Sequence, residues 1–239
     1  MNELAIKKNN TIHEAISEKI KPPKLIIFDC DGVLVQSEEI TLTLLASMLN
    51  DRLRVLLNVS EYFDVVEFVS RYRGRKIGDC LLEVERITGL RLDSCFERQY
   101  RERSFEALNL HLKATDGIIE VLQGLNTPYC VASSAPRKKI EHCLKLTELF
   151  SYFEGRIFSC YELGAWKPDP RVFLTACEHY NIKTNEALVI EDSLSGIQAA
   201  IAANIKVLGF GPVDRHLMLA NAGALPFSNM RELPGMLHW

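Results

Sequence analysis

Four stretches of the 239-residue chain hold side chains able to do chemistry together: Asp29 and Asp31 in FDCDG, Ser133 and Ser134 in VASSAP, Lys167 in WKPDP, and Glu191 and Asp192 in VIEDS. Each lies at or just after a short apolar run. Two carboxylates two positions apart at the end of a buried run repel one another and resist leaving water. Gathering more acids nearby raises that cost unless a cation is present. With oxygen donors alone, the cation expected is Mg2+, which binds through one or two carboxylates, waters and substrate phosphate. Acids held together in this way would bind the metal and react.

The elements that must bring these residues together are legible as apolar runs. KLIIFDCD (24–31), TPYCVASS (127–134), RIFSCYELG (156–164), EALVIEDS (186–193) and NIKVLGFG (204–211) read as strands covered on both faces. GIIEVLQGL, PRKKIEHCLKL, DPRVFLTACEHY and SLSGIQAAIAA, set between the later runs, have helical spacing. Strand alternating with helix predicts an α/β fold with a doubly wound, Rossmann-like parallel sheet. In such sheets ligands bind beyond the carboxyl ends of the strands, where all four stretches would converge.

Residues 38–113 break the alternation. ITLTLLASML, EYFDVVEFVSRY, DCLLEVERITG and DSCFERQYRERSFEALNL are all helix-like. Ser37-Glu38-Glu39 marks a helix start, Ser60 and Asp93 are expected N-caps, and Gly89 an expected stop. The chain therefore divides into an N-terminal extension (1–23, with a short helix expected over 12–20), a core (24–37 and 114–239) and an inserted helical cap (38–113). A cap inserted after the first strand would cover the strand ends like a lid.

Composition sets the class. The chain is 47% hydrophobic and 25% charged, ordinary for a soluble globular protein, and its net charge of −3 supplies no broad basic field for nucleic acid or a membrane surface. The seven cysteines (30, 80, 95, 130, 143, 160, 177) show neither CxxC nor Cys/His ligand spacing, which suits reduced thiols in a cytoplasmic protein. Strand alternation turns Cys30 away from the flanking aspartates. The six histidines lack metal spacing, and His142 and His179 read as ordinary helix residues.

Taken singly, each residue also fits a bland role. Asp29 and Asp31 suit a turn, Ser133 a cap for the helix after Pro136, Lys167 a solvated loop, and Asp192 an N-cap. Taken together, DCDGVLVQSE, VASSAP, WKPDP and VIEDSLSGIQAA resemble, in order and spacing, the haloacid dehalogenase superfamily. The short first motif followed by helices is similar to its β-phosphoglucomutase-like subgroup with a type-1 helical cap. The look is nearest to bacterial sugar-phosphate phosphatases of the 6-phosphogluconate type, over about residues 24–226.

The resemblance implies roles residue by residue. Asp29 matches the nucleophile that forms an aspartyl-phosphate, and Asp31 the general acid and base. Ser133 matches the phosphate-binding hydroxyl, and Lys167 the lysine that neutralises charge on the nucleophile and the phosphoryl group. Asp29, Asp31 through its backbone carbonyl, and Asp192 match the Mg2+ ligands, with Glu191 a lesser candidate. Gly32 permits a tight turn beside the phosphate, and Ser134, where many relatives have Asn, adjoins it. Gln36 stands where close relatives often carry Asp.

In the cap, Arg71, Arg73, Arg75 and Lys76 gather around Gly74, where the family carries a specificity loop. Arg73 and Arg75 are the expected substrate contacts, suited to a carboxylate or a second phosphate, although such a loop also fits a solvated surface. The expected function is a Mg2+-dependent phosphatase of a small phosphorylated metabolite, a sugar phosphate, acting as a monomer or homodimer. A phosphosugar mutase and a non-catalytic binding protein on the same fold are the alternatives. Asp31 argues against a dehalogenase, which generally lacks the second aspartate. Phosphonate hydrolysis would need a cap lysine for which only Lys76 is near.

Overall fold

The computed structural model describes residues 22–57, 62–73, 75 and 77–237. The N-terminal extension up to residue 21, with its expected helix, and the expected cap residue Ser60 lie outside them. Six strands form one wholly parallel sheet: β1 (Leu25–Phe28), β2 (Tyr129–Ser133), β3 (Ile157–Ser159), β4 (Ala187–Glu191), β5 (Lys206–Phe210) and β6 (Leu225–Phe227), in the order β3-β2-β1-β4-β5-β6. β1 is central, and the chain order reverses beside it. That is the switch point at which a doubly wound sheet opens a crevice.

The continuous apolar runs are explained by two cores. Ile26 and Phe28 of β1 join Tyr129, Val131, Leu188 and Ile190 on one face, while Leu25 and Ile27 join Cys130, Ala132 and Val189 on the other. Period-two alternation thus feeds both faces of every central strand. All four β1 side chains are fully buried. Each contributes about 1.5–3 kcal/mol on burial, which anchors the strand against repulsion between the acids that follow it.

Between β1 and the return of the chain to the core at Ala114, the described residues form four helices: α1 (Ser37–Leu57), α2 (Val65–Tyr72), α3 (Ile77–Thr88) and α4 (Ser94–His111). They bury a core of their own, including Leu45, Leu49, Phe68, Tyr72, Val84 and Phe96. Asp64 caps α2 by accepting from Glu67 N, and Asp93 caps α4 by accepting from Phe96 N. Gly89, at φ +70°, follows α3, as its sequence position predicts. The chain enters and leaves this cap side by side. Val35 pairs with Ala114, Gln36 N donates to Lys113 O, and the Gln36 amide donates to Thr115 Oγ1 at 2.7 Å. The helices of the core include α5 (Ile118–Gly124), α6 (Arg137–Leu146), α7 (Arg171–His179) and α8 (Leu194–Ala202).

Two readings of the sheet need correction. The run 156–164 is extended only over Ile157–Ser159. Ser159 then accepts from Tyr161 N and starts a helical turn, Cys160–Leu163, which Gly164 ends at φ +59°. The sequence also gives no sign of β6, three residues around Pro226. A proline lacks the donor a central strand needs, but the sheet edge tolerates it. All seven cysteines are free thiols. Among the described residues no helix is long and apolar enough to cross a membrane.

Candidate active site

The site starts from the end of β1. Asp29 continues the sheet, its N–H donating to Ile190 O at 2.9 Å. The chain then folds back tightly, with Gly32 N donating to Val35 O. Gly32 has φ +86°, and a Cβ there would overlap the carboxylate of Asp192. Glycine is therefore required twice over: for the left-handed conformation, and so that Asp192 can lie against this backbone.

Lys167 enters from the loop after β3, on a cis Lys167–Pro168 bond. Its side chain is buried, and Nζ donates to Asp29 Oδ1 (2.5 Å), Glu191 Oε1 (2.7 Å) and Ala132 O (3.0 Å). Burial opposes its charge, but the two carboxylates outweigh burial and hold its pKa above the usual lysine range. Glu191 is engaged at both oxygens. Oε2 accepts from Asp192 N (2.8 Å), Ser193 N (2.7 Å) and Ser193 Oγ (2.9 Å). The sequence suggests Glu191 as a lesser metal ligand; the geometry makes it the support of Lys167 and of the turn into α8.

Asp31, two residues on from Asp29, has separate partners. The Ser37 hydroxyl donates to Oδ1, and Lys139 Nζ reaches Oδ1 at 3.0 Å and Oδ2 at 3.2 Å. Burial acts to raise the Asp31 pKa, yet Lys139 and Ser37 prevail and hold it below the ordinary carboxylate value. Asp29 goes the other way. Burial pushes it up to about 8, with Lys167 opposing and Glu191 adding. Asp192 is also driven well above its usual value, by burial first and then by Glu38, Glu191 and Asp29. Arg215, from the loop after β5, donates to Asp192 O at 2.9 Å.

The carboxylates raised in this way are those a cation would relieve. Among the described residues no three Asp, Glu, His or Cys side chains converge into a metal-binding group. The residues fit Mg2+ in another way. Asp29 and Asp192 offer two carboxylates, the gap at Gly32 brings Asp192 against the Asp31–Gly32 backbone, and Mg2+ commonly takes its other ligands from waters and phosphate.

These groups floor a cleft of about 700 Å3, a size that suits a small metabolite. Asp29, Asp31, Ser133, Ser134, Lys167 and Asp192 all line it. Ser133 Oγ accepts from Ala135 N at 3.1 Å, which leaves its hydroxyl hydrogen to donate. The cap contributes Tyr72, Arg75, Tyr100, Ser104 and Phe105 to the cleft wall. The two expected cap contacts divide. Arg75 lines the cleft but is paired with Glu83 at 2.6 Å, a carboxylate it shares with Arg71. Arg73 is off the cleft wall, with Glu39 at 3.9 Å. Gly74 and Lys76 lie outside the described residues.

The sequence reading overlooks Lys139, Ser37 and Arg215. A signal for Lys139 exists: Arg137, Lys138 and Lys139 put three cations in the first turn of α6, where the helix dipole disfavours positive charge. Such a cluster calls for anionic partners nearby. Arg137 has Glu162 at 2.5 Å, and Lys139 has Asp31.

The family model for haloacid dehalogenase-like hydrolases matches residues 23–204. The 6-phosphogluconate phosphatase of Escherichia coli is 27% identical over 210 residues, covering 87% of this chain and 92% of its own. A phosphorylated carbohydrates phosphatase of Thermotoga maritima is 25% identical, covering 89% and 97%. Among solved structures, a conserved haloacid dehalogenase-like protein of unknown function from Agrobacterium tumefaciens superposes with a TM-score of 0.78 at 32% identity, covering 90% of this chain and 97% of that one.

Proposed function

This chain belongs to the haloacid dehalogenase-like hydrolases, and within that family we propose that it is a Mg2+-dependent phosphatase of a small phosphorylated metabolite, a sugar phosphate. The observation that carries this reading is the buried bridge of Lys167 between Asp29 and Glu191, with Asp31 two residues away under separate control. The sugar-phosphate class is supported by the E. coli and T. maritima relatives, whose names specify a phosphorylated sugar acid and phosphorylated carbohydrates, each aligned over nearly its whole length.

Lys167 holds Asp29 Oδ1 and so directs the other carboxylate oxygen toward the cleft. That oxygen attacks phosphorus. The Asp29–phosphorus bond forms, the ester P–O bond breaks, and the departing alkoxide takes a proton from the Asp31 carboxyl. A dianionic phosphate beside Asp31 raises its affinity for that proton, counter to the effect of Lys139 in the free site. Water then attacks phosphorus and gives its proton back to Asp31. The Asp29–phosphorus bond breaks, inorganic phosphate leaves, and both acids return to their starting states. The Ser133 hydroxyl donates to a phosphoryl oxygen throughout, and Lys167, whose three donors are held by Asp29, Glu191 and Ala132, acts through its charge, which neutralises the nucleophile and the phosphoryl group. Asp29 and Asp192, with the Asp31 carbonyl, would hold the metal, which when bound neutralises charge on the phosphoryl group.

The test is phosphate release from 6-phosphogluconate, hexose phosphates, nucleotides and phosphoglycolate, with and without Mg2+, with Asp29→Asn as the blank. The expected result is Mg2+-dependent release from a few sugar phosphates, absent in the folded variant. Wild-type-like release by folded Asp29→Asn would refute the mechanism. Silence on every ester, with sugar phosphates interconverted once a bisphosphate is added, would make the protein a mutase instead.

A further inference from the structure

We propose that Lys139 is the positioning residue for Asp31, an inference that rests on the acid–base role given to Asp31 above. Two aspartates two residues apart have each been given a cation of their own. Lys167 serves Asp29, reaching it from the loop after β3. Lys139 serves Asp31, reaching it from the first turn of α6.

The two contacts differ in kind. Lys167 is bonded to one oxygen of Asp29 and leaves the second to react. Lys139 straddles both oxygens of Asp31, at 3.0 and 3.2 Å. Contact with both oxygens fixes the plane of the carboxylate as well as its direction. Ser37 completes the clamp by donating to Oδ1 from the opposite element, the first residue of α1. Asp31 is thereby held between the first residue of the cap helices and the core helix α6. Both clamping residues line the same cleft. Proton transfer to a leaving oxygen needs a donor within about 2.6–3.2 Å and correctly aimed, so the clamp governs that step.

Lys139 has a chemical signature that a simple phosphate contact or a folding role lacks. A leaving group that is stable as an anion departs without a proton; an alkoxide does not. The measured quantity is kcat/KM, which reports the steps up to leaving-group departure, for p-nitrophenyl phosphate and for an alkyl phosphate such as glucose 6-phosphate. In Lys139→Met, kcat/KM on the alkyl ester should fall about tenfold or more, while the aryl ester loses no more than about threefold, because general acid catalysis is worth about 10²–10⁴. Lys139→Arg, which keeps the charge, should restore most of the alkyl rate.

Ser37→Ala approaches Asp31 from the other side and should show the same selectivity, so the idea stands or falls even if Lys139→Met does not fold. Circular dichroism checks the fold of each. Equal losses on both esters, or no loss on either, would overturn the assignment. Failure of the parent reading looks different: hydrolysis by wild type would survive Asp29→Asn, whatever the ratio between esters.

Discussion

Replacing Gly196 with alanine tests the architecture of the site with one methyl group placed away from the chemistry. Gly196 is the third residue of α8, and its N–H donates to Ser193 Oγ. A Cβ built there overlaps the carboxylate of Glu191. That carboxylate cannot easily withdraw, since Lys167 holds Oε1 and three donors hold Oε2. Two effects compete. Alanine is better than glycine in a helix interior by about 1 kcal/mol. Breaking a buried ion pair on one side costs about 3–5 kcal/mol.

The displacement wins, and Gly196→Ala should destabilise the protein by roughly 2–4 kcal/mol. Turnover should fall with stability, because Lys167 loses one of the two carboxylates that fix it over Asp29. The assay is urea unfolding at neutral pH beside steady-state phosphate release. Gly124→Ala is the control: Gly124 is also helical, but a Cβ there meets nothing within 4 Å. Its expected effect is neutral or stabilising by up to about 1 kcal/mol. If Gly196→Ala matched Gly124→Ala in stability and kept wild-type turnover, Glu191 would not be the fixed support described here.

Lys167→Met should destabilise by about 3–5 kcal/mol and abolish turnover, since it leaves Asp29 and Glu191 buried without their cation; adding Glu191→Gln should recover part of the stability in urea unfolding, and a further loss would contradict the pairing. The third prediction concerns pH in metal-free protein. The folded-state pKa of Asp192 is raised, so its contribution is complete only below the ordinary value of 3.8 and is lost as pH rises through the raised pKa. Asp192→Asn stays neutral, so in EDTA its stability should gain on wild type from pH 5 to pH 8, and a gap that closed over that interval would reverse the sign.

The catalytic floor is legible in the sequence because its residues are fixed by strand ends. A continuous apolar run stops, the chain must turn, and the polar residue after it lies at the sheet's carboxyl edge; Asp29, Ser133 and Glu191–Asp192 follow from that alone. Partners across the fold are not legible in the same way. Arg71 and Arg75 look like free cations in a loop, but Glu83, the seventh residue of α3, takes both. Nothing in the spacing of RYRGRK reveals a carboxylate eight residues beyond Arg75. His142 reads as a plain helix residue, yet its ring nitrogen lies 2.8 Å from Asn109 of α4 and its ring packs 5.3 Å from Phe105, which ties the core to the cap. β6 escapes because three residues with a central proline carry no strand period.

The position of β1 within the sheet has a consequence for how the protein comes apart. Local opening begins where few contacts must break, and here that means the borders, β3 and β6, each only three residues long. Asp29 and Glu191 stand instead at the ends of β1 and β4, adjacent strands with neighbours on either side. Peeling either border strand leaves the Asp29–Glu191 spacing intact. The spacing of the two acids is therefore insensitive to fraying at β6, whereas fraying at β3 loosens the loop that carries Lys167 and releases the cation before the carboxylates it bridges move apart.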